Sequence, residues 1–350
     1  MDLKAKQLLD KLNETHSLLV EEYEYLLTHR DKELMEAAAA YAVAYQKEFY
    51  GNRVFIRGLV EFTNVCRNNC FYCGIRAENR NCQRYRLTAD EILECAITGY
   101  DLGFRTVVLQ GGEDFSYSDD AICEIIRNIK EIHPDIVVTL SIGERSRESY
   151  EAFYYAGAGR YLLRHETASP ALYAKLHPTE LSWENRMRCL RDLKDIGFQV
   201  GAGFMVESPY QTPRDLAMDL KFVEEFLPDM CGIGPFISHK DTPFANKKSG
   251  TLETTLFCLS LIRMIYPKVL LPATTALGTI DPKGREKGIL SGANVVMPNL
   301  SPVGVREKYS LYDHKICTGE EAAECIRCLK QRIASVGYEI VTDPGNRAGF

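Results

Sequence analysis

The spacing of apolar positions along this chain changes near residue 50. Before that point Leu8, Leu9 and Leu12, then Leu18, Leu19, Tyr23 and Leu26, and then the Ala-rich stretch 34–49 recur at helical intervals. Charged residues occupy the other faces, so 1–50 reads as a helical extension packed outside whatever follows. From Val54 short apolar runs alternate with amphipathic segments. The runs cover 54–60, 106–110, 136–141, 161–165, 199–205, 231–236, 269–273 and 294–297. Several helix starts between them are marked. Thr88-Ala-Asp-Glu91 is a capping box, and Thr212 places a cap residue before Pro213 at the first helical position. Gly157, Gly197 and Gly292 suit helix ends. Eight strand–helix repeats predict an α/β fold, a complete (β/α)8 barrel of the TIM type over 51–300, because right-handed parallel crossovers close at eight. A partial six-stranded barrel with a separate tail is the rival. Residues 301–350 form a C-terminal segment expected to close the barrel.

Composition narrows the function classes. Hydrophobic residues make up 45% of the chain, ample for a barrel core. The net charge of −6 and the lack of a Lys/Arg cluster argue against nucleic acid as a partner. The first fifteen residues are charged throughout and no apolar run approaches membrane-spanning length, so the expected location is the cytoplasm, away from the membrane. Twelve cysteines in such a setting point to reduced thiols and metal rather than disulfides. Six are scattered (Cys82, Cys95, Cys123, Cys189, Cys231 and Cys258), mostly where a small buried apolar residue would serve.

The other six form two compact groups. Cys66, Cys70 and Cys73 follow the first apolar run, with Tyr72 before the third thiol. Three thiolates can hold three corners of a [4Fe–4S] cube and leave the fourth iron open to a ligand. A zinc knuckle completed by Cys82 is the plainer alternative, but zinc knuckles pair two short elements and no second one follows nearby. The C-x3-C-x2-C spacing resembles that of the radical S-adenosylmethionine (SAM) superfamily, which implies SAM as the ligand of the open iron. The second group, Cys317, Cys325 and Cys328, lies past the last apolar run with Asp313 and His314 close by. It suits an auxiliary iron–sulfur cluster, [2Fe–2S] or [4Fe–4S]; a zinc site and unligated cysteines are the alternatives.

In such barrels chemistry gathers at the C-terminal ends of the strands, and polar residues cluster there in this chain. The second run ends in Gly111-Gly112-Glu113, where the superfamily contacts SAM's amino group, or where a plain tight turn would fit. The third ends in Thr139 and Ser141, which share a face by the two-residue strand period. The fourth ends in Arg164-His165-Glu166, putting Arg164 and Glu166 on one wall. That pair can hold a zwitterion such as the methionine part of SAM, or be a buried structural ion pair. Arg186, on the next amphipathic segment, can reach back as a carboxylate fork. Thr274 and Thr275 end the seventh run and Met297 the eighth, while Tyr309 and Tyr312 are placed to line or close the mouth. Of seven histidines only His165 ends a strand, too few for a zinc hydrolase shell.

Over nearly its whole length the chain resembles the HydE family, the radical-SAM maturases of [FeFe]-hydrogenase. The likeness rests on 56–66, 107–110, 161–167, 232–236, 272–275, 293–299 and the C-terminal C-x7-C-x2-C triplet. It implies a complete barrel around an enclosed cavity, a [4Fe–4S] cluster on Cys66, Cys70 and Cys73, and SAM contacts from Glu166 and Arg186. It places Arg164 and Thr275 in the cavity. It further implies the maturases HydG and HydF as partners, an electron donor, and an organometallic substrate, an iron–cysteine carbonyl/cyanide complex. Gly111 stands where the family often has Ser. Glu207 and Tyr210 replace two family glycines in the turn after the fifth strand, which is expected to alter the floor beside SAM. Biotin synthase and methylornithine synthase are related radical-SAM barrels and supply the alternative reading, a synthase or mutase. A non-catalytic iron–sulfur scaffold or carrier is the alternative from another class.

Overall fold

A computed structural model of the chain describes residues 2–316 and 326–350. Its strands, in order, are β1 (Arg53–Ile56), β2 (Gly58–Thr63), β3 (Thr106–Gly111), β4 (Val137–Ser141), β5 (Ala158–Leu162), β6 (Gln199–Ala202), β7 (Met205–Val206), β8 (Met230–Cys231), β9 (Gly234–Pro235), β10 (Val295–Val296) and β11 (Glu339–Val341). Strands β2-β3-β4-β5-β6-β8 form one parallel sheet, and β7 with β9 prolongs two of its members upward. Parallel bridges Met230–Leu270, Pro272–Val295 and Leu59–Asn299 then carry the sheet round to β2. The barrel is therefore closed, and the six-stranded rival falls. Its seventh staves are single bridges at Leu270 and Pro272 rather than a continuous strand, since Pro272 has no N–H to give a ladder.

Strand alternation sorts the side chains. Val60, Phe62, Val107, Leu109, Val138, Leu140, Tyr161 and Val200 join the large core under the surrounding helices. The alternate positions face the lumen, where Tyr50, Phe55, Met230, Leu270 and Val295 make a small floor cluster with Leu162 and Met297 against it. The capping boxes of Thr88 with Glu91 and Thr212 with Asp215 are both present, each opening an outer helix. Gly157 and Gly197 end helices at φ +115° and +108°, a conformation that disfavours a side chain. The N-terminal helices Leu3–Thr15, Val20–Thr28 and Lys32–Tyr50 lie outside the barrel. Lys32–Tyr50 covers Leu252–Ile265, which explains why that helix is buried on nearly every face.

The C-terminal segment does something the apolar pattern did not announce. Strand β11 pairs parallel with β1, and residues 344–347 then enter the barrel from below. Arg57 Nη2 donates to Gly345 O (3.3 Å), Arg160 Nη2 to Pro344 O (2.9 Å), and Gln199 Nε2 to Asn346 Oδ1 (3.1 Å). The bottom is thereby plugged, and the top remains the way in.

Candidate active site at the top of the barrel

The cysteine loop leaves β2 at Thr63 and is held by its own polar residues. Arg84 reaches the carbonyls of Asn64 (2.6 Å), Ile75 (2.8 Å) and Arg76 (2.6 Å), and Asn79 Nδ2 donates to Gly74 O (2.6 Å). Gly112 lets the turn after β3 lie against this loop: a Cβ there would come within 2.2 Å of Val65 O and 2.7 Å of Cys66 Cβ. Gly111 is likewise tight, since a Cβ would meet Thr63 Cγ2 at 2.7 Å, so serine at this position would require Thr63 to move. Cys66, Cys70 and Cys73 are free thiols, each half-buried. Burial pushes all three upward, Cys73 to about 12, and the neighbouring thiols add to the shift at Cys70 and Cys73. Iron loading must therefore displace protons.

Among the described residues no three His, Cys, Asp or Glu side chains gather around a point suited to one metal ion. The zinc knuckle is not assembled there; Cys82 lies instead beside Asn64 Nδ2 at 3.5 Å. A cube carries its ligands further apart than one ion does. Three free thiols on one braced loop fit it.

Around the loop stand the polar strand ends. Glu113 is buried and its carboxylate is already engaged, by Arg67 Nε at 3.1 Å and by the Glu144 N–H at 2.8 Å. Its own N–H points at Cys66 Sγ (3.4 Å), so Glu113 braces the loop through both side chain and backbone. Arg186 is buried and bound to Glu144 Oε1 (2.5 Å) and to Arg164 O (2.6 Å), which leaves its second terminal nitrogen for a ligand. Glu166 sits at φ +64°, a strained conformation for a glutamate, and its charge and that of Arg186 both bear on Cys70. Arg164 Nη2 lies 3.2 Å from Glu166 Oε2, without hydrogen-bond alignment. Arg164 Nε and Nη2, Glu166 Oε2, Thr139 Oγ1 and Thr274 Oγ1 are buried with no hydrogen-bond partner in the protein. Ser141 ends β4 on the same face as Thr139, half-buried. Such a set of orphaned donors and acceptors fits a bound polar molecule.

The remaining expected residues are more dispersed. Tyr72 OH meets His177 Nε2 at 3.1 Å, and burial drives His177 down to about 3, so its ring is neutral. Thr275 opens the helix Thr275–Ile280 and its hydroxyl lies 3.4 Å from Arg285 Nη2. Met297 packs on the lumen floor, and Tyr312 is half-buried in the segment after the barrel. Cys317 and Cys325 lie outside the described residues. Cys328 is exposed on the helix Ile326–Ala334 and is disulfide-bonded. A sulfur so engaged does not ligate iron until it is reduced.

Two features depart from expectation. Glu207 and Tyr210 do occupy glycine-like conformations (φ +55° and +69°), yet neither builds a floor for a ligand. Glu207 turns away, accepting from Thr251 N (2.6 Å) and Thr254 Oγ1 (2.7 Å) at the start of the helix Leu252–Ile265, and Tyr210 is 53% exposed beside Phe244. The lumen also holds residues that strand ends did not single out. Glu61, fully buried on β2, binds Lys315 Nζ (2.5 Å) and Asn299 Nδ2 (2.8 Å), and Tyr309 is buried beside it. The signal was available: an acid at an alternate position of an otherwise apolar strand.

Residues 60–223 match the radical SAM superfamily. The chain is 46% identical to the [FeFe] hydrogenase maturase subunit HydE of Thermotoga maritima over 345 residues, 99% of this chain and 98% of that one. Among solved structures, methylornithine synthase (PylB) superposes with a TM-score of 0.83 at 26% identity, covering 95% of this chain and 97% of that one. HydG, a maturase of the [FeFe]-hydrogenase, superposes with 0.81 at 20% identity, covering 97% and 76%, a likeness of fold. A closed parallel barrel with a three-cysteine loop at its mouth is a radical-SAM enzyme, and the superfamily implies a [4Fe–4S] cluster and SAM. Within that class, this chain belongs to the HydE family of [FeFe]-hydrogenase maturases.

Proposed function

We propose that the chain cleaves SAM reductively at a [4Fe–4S] cluster on Cys66, Cys70 and Cys73, and directs the radical at an organometallic substrate in the lumen. Bound there, the cluster and SAM together supply a 5′-deoxyadenosyl radical once one electron enters. The protein's part is to hold and to exclude. Arg84, Asn79 and Glu113 fix the loop, Arg186 offers its free nitrogen to SAM's carboxylate, and Glu166 offers an acceptor to its amino group. Arg164, Thr139 and Thr274 then face the substrate, for which an iron–cysteine carbonyl/cyanide complex has the right charge and hydrogen-bonding atoms. The single observation carrying this reading is the set of unpartnered polar atoms around the half-buried thiols. The other hydrogenase maturases, HydG and HydF, are the partners, an electron donor supplies the reducing equivalent, and the setting is the cytoplasm. No helix among the described residues is long and apolar enough to cross a membrane. In the reduced chain Cys317, Cys325 and Cys328 hold a second iron–sulfur cluster. Anaerobic reconstitution followed by assay of 5′-deoxyadenosine tests the main reading: iron bound without nucleoside release would make the chain a carrier. Unchanged iron per chain in Cys325→Ala would dismiss the second cluster.

A further inference from the structure

Glu166, whose carboxylate is offered to SAM's amino group, stands in a backbone conformation that disfavours it. Its φ of +64° lies in the left-handed region, which a long side chain enters only when its surroundings impose it. Residues 165–169 are buried throughout, and two anchors hold them. On one side is Gly203. The Glu166 N–H donates to Gly203 O (3.0 Å), the Gly203 N–H donates to His165 Nδ1 (3.3 Å), and the Met205 N–H donates to Glu166 O (3.4 Å).

On the other side is Asp219, from the outer helix Pro213–Phe226. Its Oδ1 accepts from the Ala168 N–H (2.5 Å), and the Thr167 hydroxyl donates to the same carboxylate. His165 Nε2 faces Oδ1 at 3.4 Å, off hydrogen-bond alignment. Because the Gly203 N–H occupies Nδ1, the neutral ring carries its proton on Nε2, the nitrogen toward Asp219. Gln211 Nε2 touches Oδ2 at 3.5 Å.

Asp219 is out of place as a core residue. Leu216, Ala217, Leu220 and Val223 share its buried helix face, Asp219 is itself fully buried, and no lysine or arginine among the described residues pairs with it. A carboxylate buried without a cation is costly, and packing alone would favour an apolar side chain there. Apart from Gln211, the groups that Asp219 meets all flank Glu166. We infer that Asp219 is a positioning residue for SAM binding: by pinning His165, Thr167 and Ala168 it holds Glu166 in the left-handed conformation that turns its carboxylate toward the cysteine loop. The inference rests on the reading of Glu166 as the acceptor for SAM's amino group. Asp219 lies on the helix side of the barrel wall, so its effect reaches the site through Glu166.

The test measures SAM affinity of the cluster-reconstituted protein by equilibrium dialysis. The variants are Asp219→Leu and Asp219→Asn, each with Glu166 intact and with Glu166→Ala. Leucine removes every acceptor and should weaken SAM binding by about tenfold, the value of one displaced charge-assisted bond. Asparagine keeps an oxygen for the Ala168 N–H and should stay within about threefold of wild type. In Glu166→Ala the carboxylate to be positioned is gone, so adding Asp219→Leu should change affinity by no more than about twofold. Losses that multiply in the double variant, an unchanged affinity in Asp219→Leu, or an equal loss in Asp219→Asn would each overturn the inference. Should Asp219→Leu not fold, Thr167→Val removes one of the same bonds at nearly constant volume. It should cost about threefold in affinity, again only while Glu166 is present. No loss, or a loss that persists in Glu166→Ala, overturns the inference as well. Glu166→Ala binding SAM as tightly as wild type would instead sink the reading of Glu166 itself, and the positioning role would fall with it.

Discussion

At the bottom of the barrel Arg57 and Arg160 lie fully buried side by side, and every terminal nitrogen for which a bond is described ends on the protein itself. Arg57 reaches Met230 Sδ (2.8 Å) and Gly345 O, while Arg160 reaches Thr106 Oγ1 (2.9 Å), Pro344 O and Asn346 Oδ1. At the top Arg164 has only a poorly aligned carboxylate, and Thr139 and Thr274 have nothing. Both ends therefore put arginine and hydroxyl groups into one lumen, and residue type does not tell them apart. The accounting of the terminal guanidinium and hydroxyl bonds does, although Arg57 Nε, Arg160 Nε and Gln199 Oε1 at the bottom are also buried without a partner. Where the chain supplies its own acceptors the polar residues are structural, and where it withholds them a ligand is awaited.

The largest effect separates the cysteine loop from the barrel that carries it. Cys66→Ala, Cys70→Ala and Cys73→Ala should each abolish SAM cleavage while leaving the circular dichroism of the barrel unchanged. The loop contributes no strand to the closed sheet. Wild-type turnover from a cluster-free single variant would end the assignment.

Next, the two ends can be set against each other directly. Arg160→Met removes the donors that Pro344 O and Asn346 Oδ1 accept from in a buried plug, so it should cost about 2–4 kcal/mol of stability with SAM affinity unmoved. Arg164→Ala removes a side chain that is 40% exposed and loosely paired, so it should shift stability by no more than about 0.5 kcal/mol and depress turnover instead. Urea denaturation with SAM titration on both variants reads this. Equal destabilisation would mean that partner accounting does not distinguish the ends.

Much of this was legible in the chain, and the reasons differ by element. Thr88, Thr212 and the glycines at 157 and 197 work through their nearest neighbours, so local pattern located them. The cysteine spacing and the polar strand ends are also local. What escaped depends on distant pairing. Strand β11 is three residues long, Glu339-Ile-Val341, and becomes a strand only because β1 offers an edge. Glu207 read as a ligand-side residue because it replaces a family glycine in the turn after the fifth strand, but Thr251 and Thr254, more than forty positions later, hold its carboxylate. Arg186 read as free to grip SAM, yet Glu144 holds one side of it.

That last contact sharpens a smaller prediction. Arg186→Ala should weaken SAM binding by about tenfold to a hundredfold, the value of one charge-assisted bond. It should also unfold more easily than wild type, because Glu144 loses its cation in a buried site. Glu144→Gln spares the nitrogen facing SAM, so it should share the stability loss and retain most of the affinity. If Glu144→Gln loses affinity as Arg186→Ala does, the pair acts on SAM as one unit, and isothermal titration of both variants would show it.

The smallest effect concerns a fully partnered residue at the top, which should behave like those at the bottom. His177 is buried between Tyr173 O (3.0 Å) and Tyr72 OH (3.1 Å) and is pushed down to about 3 by burial first and then by Arg186. Unfolded, it takes a proton near pH 6.5. Its contribution is therefore complete above that pH and is lost as pH falls from about 6.5 toward 3, with a slope of at most about 1.4 kcal/mol per pH unit. His165 is depressed in the same direction and Asp219 in the opposite sense, so the total slope of the wild type does not isolate His177. The difference from His177→Gln does, since glutamine is neutral throughout and keeps one donor and one acceptor. Urea denaturation at pH 7, 6 and 5 should show the variant less stable than wild type at pH 7 and the gap closing with acid. Parallel curves would mean that folding does not shift the His177 pKa, and a gap that widened with acid would mean that His177 is protonated in the fold.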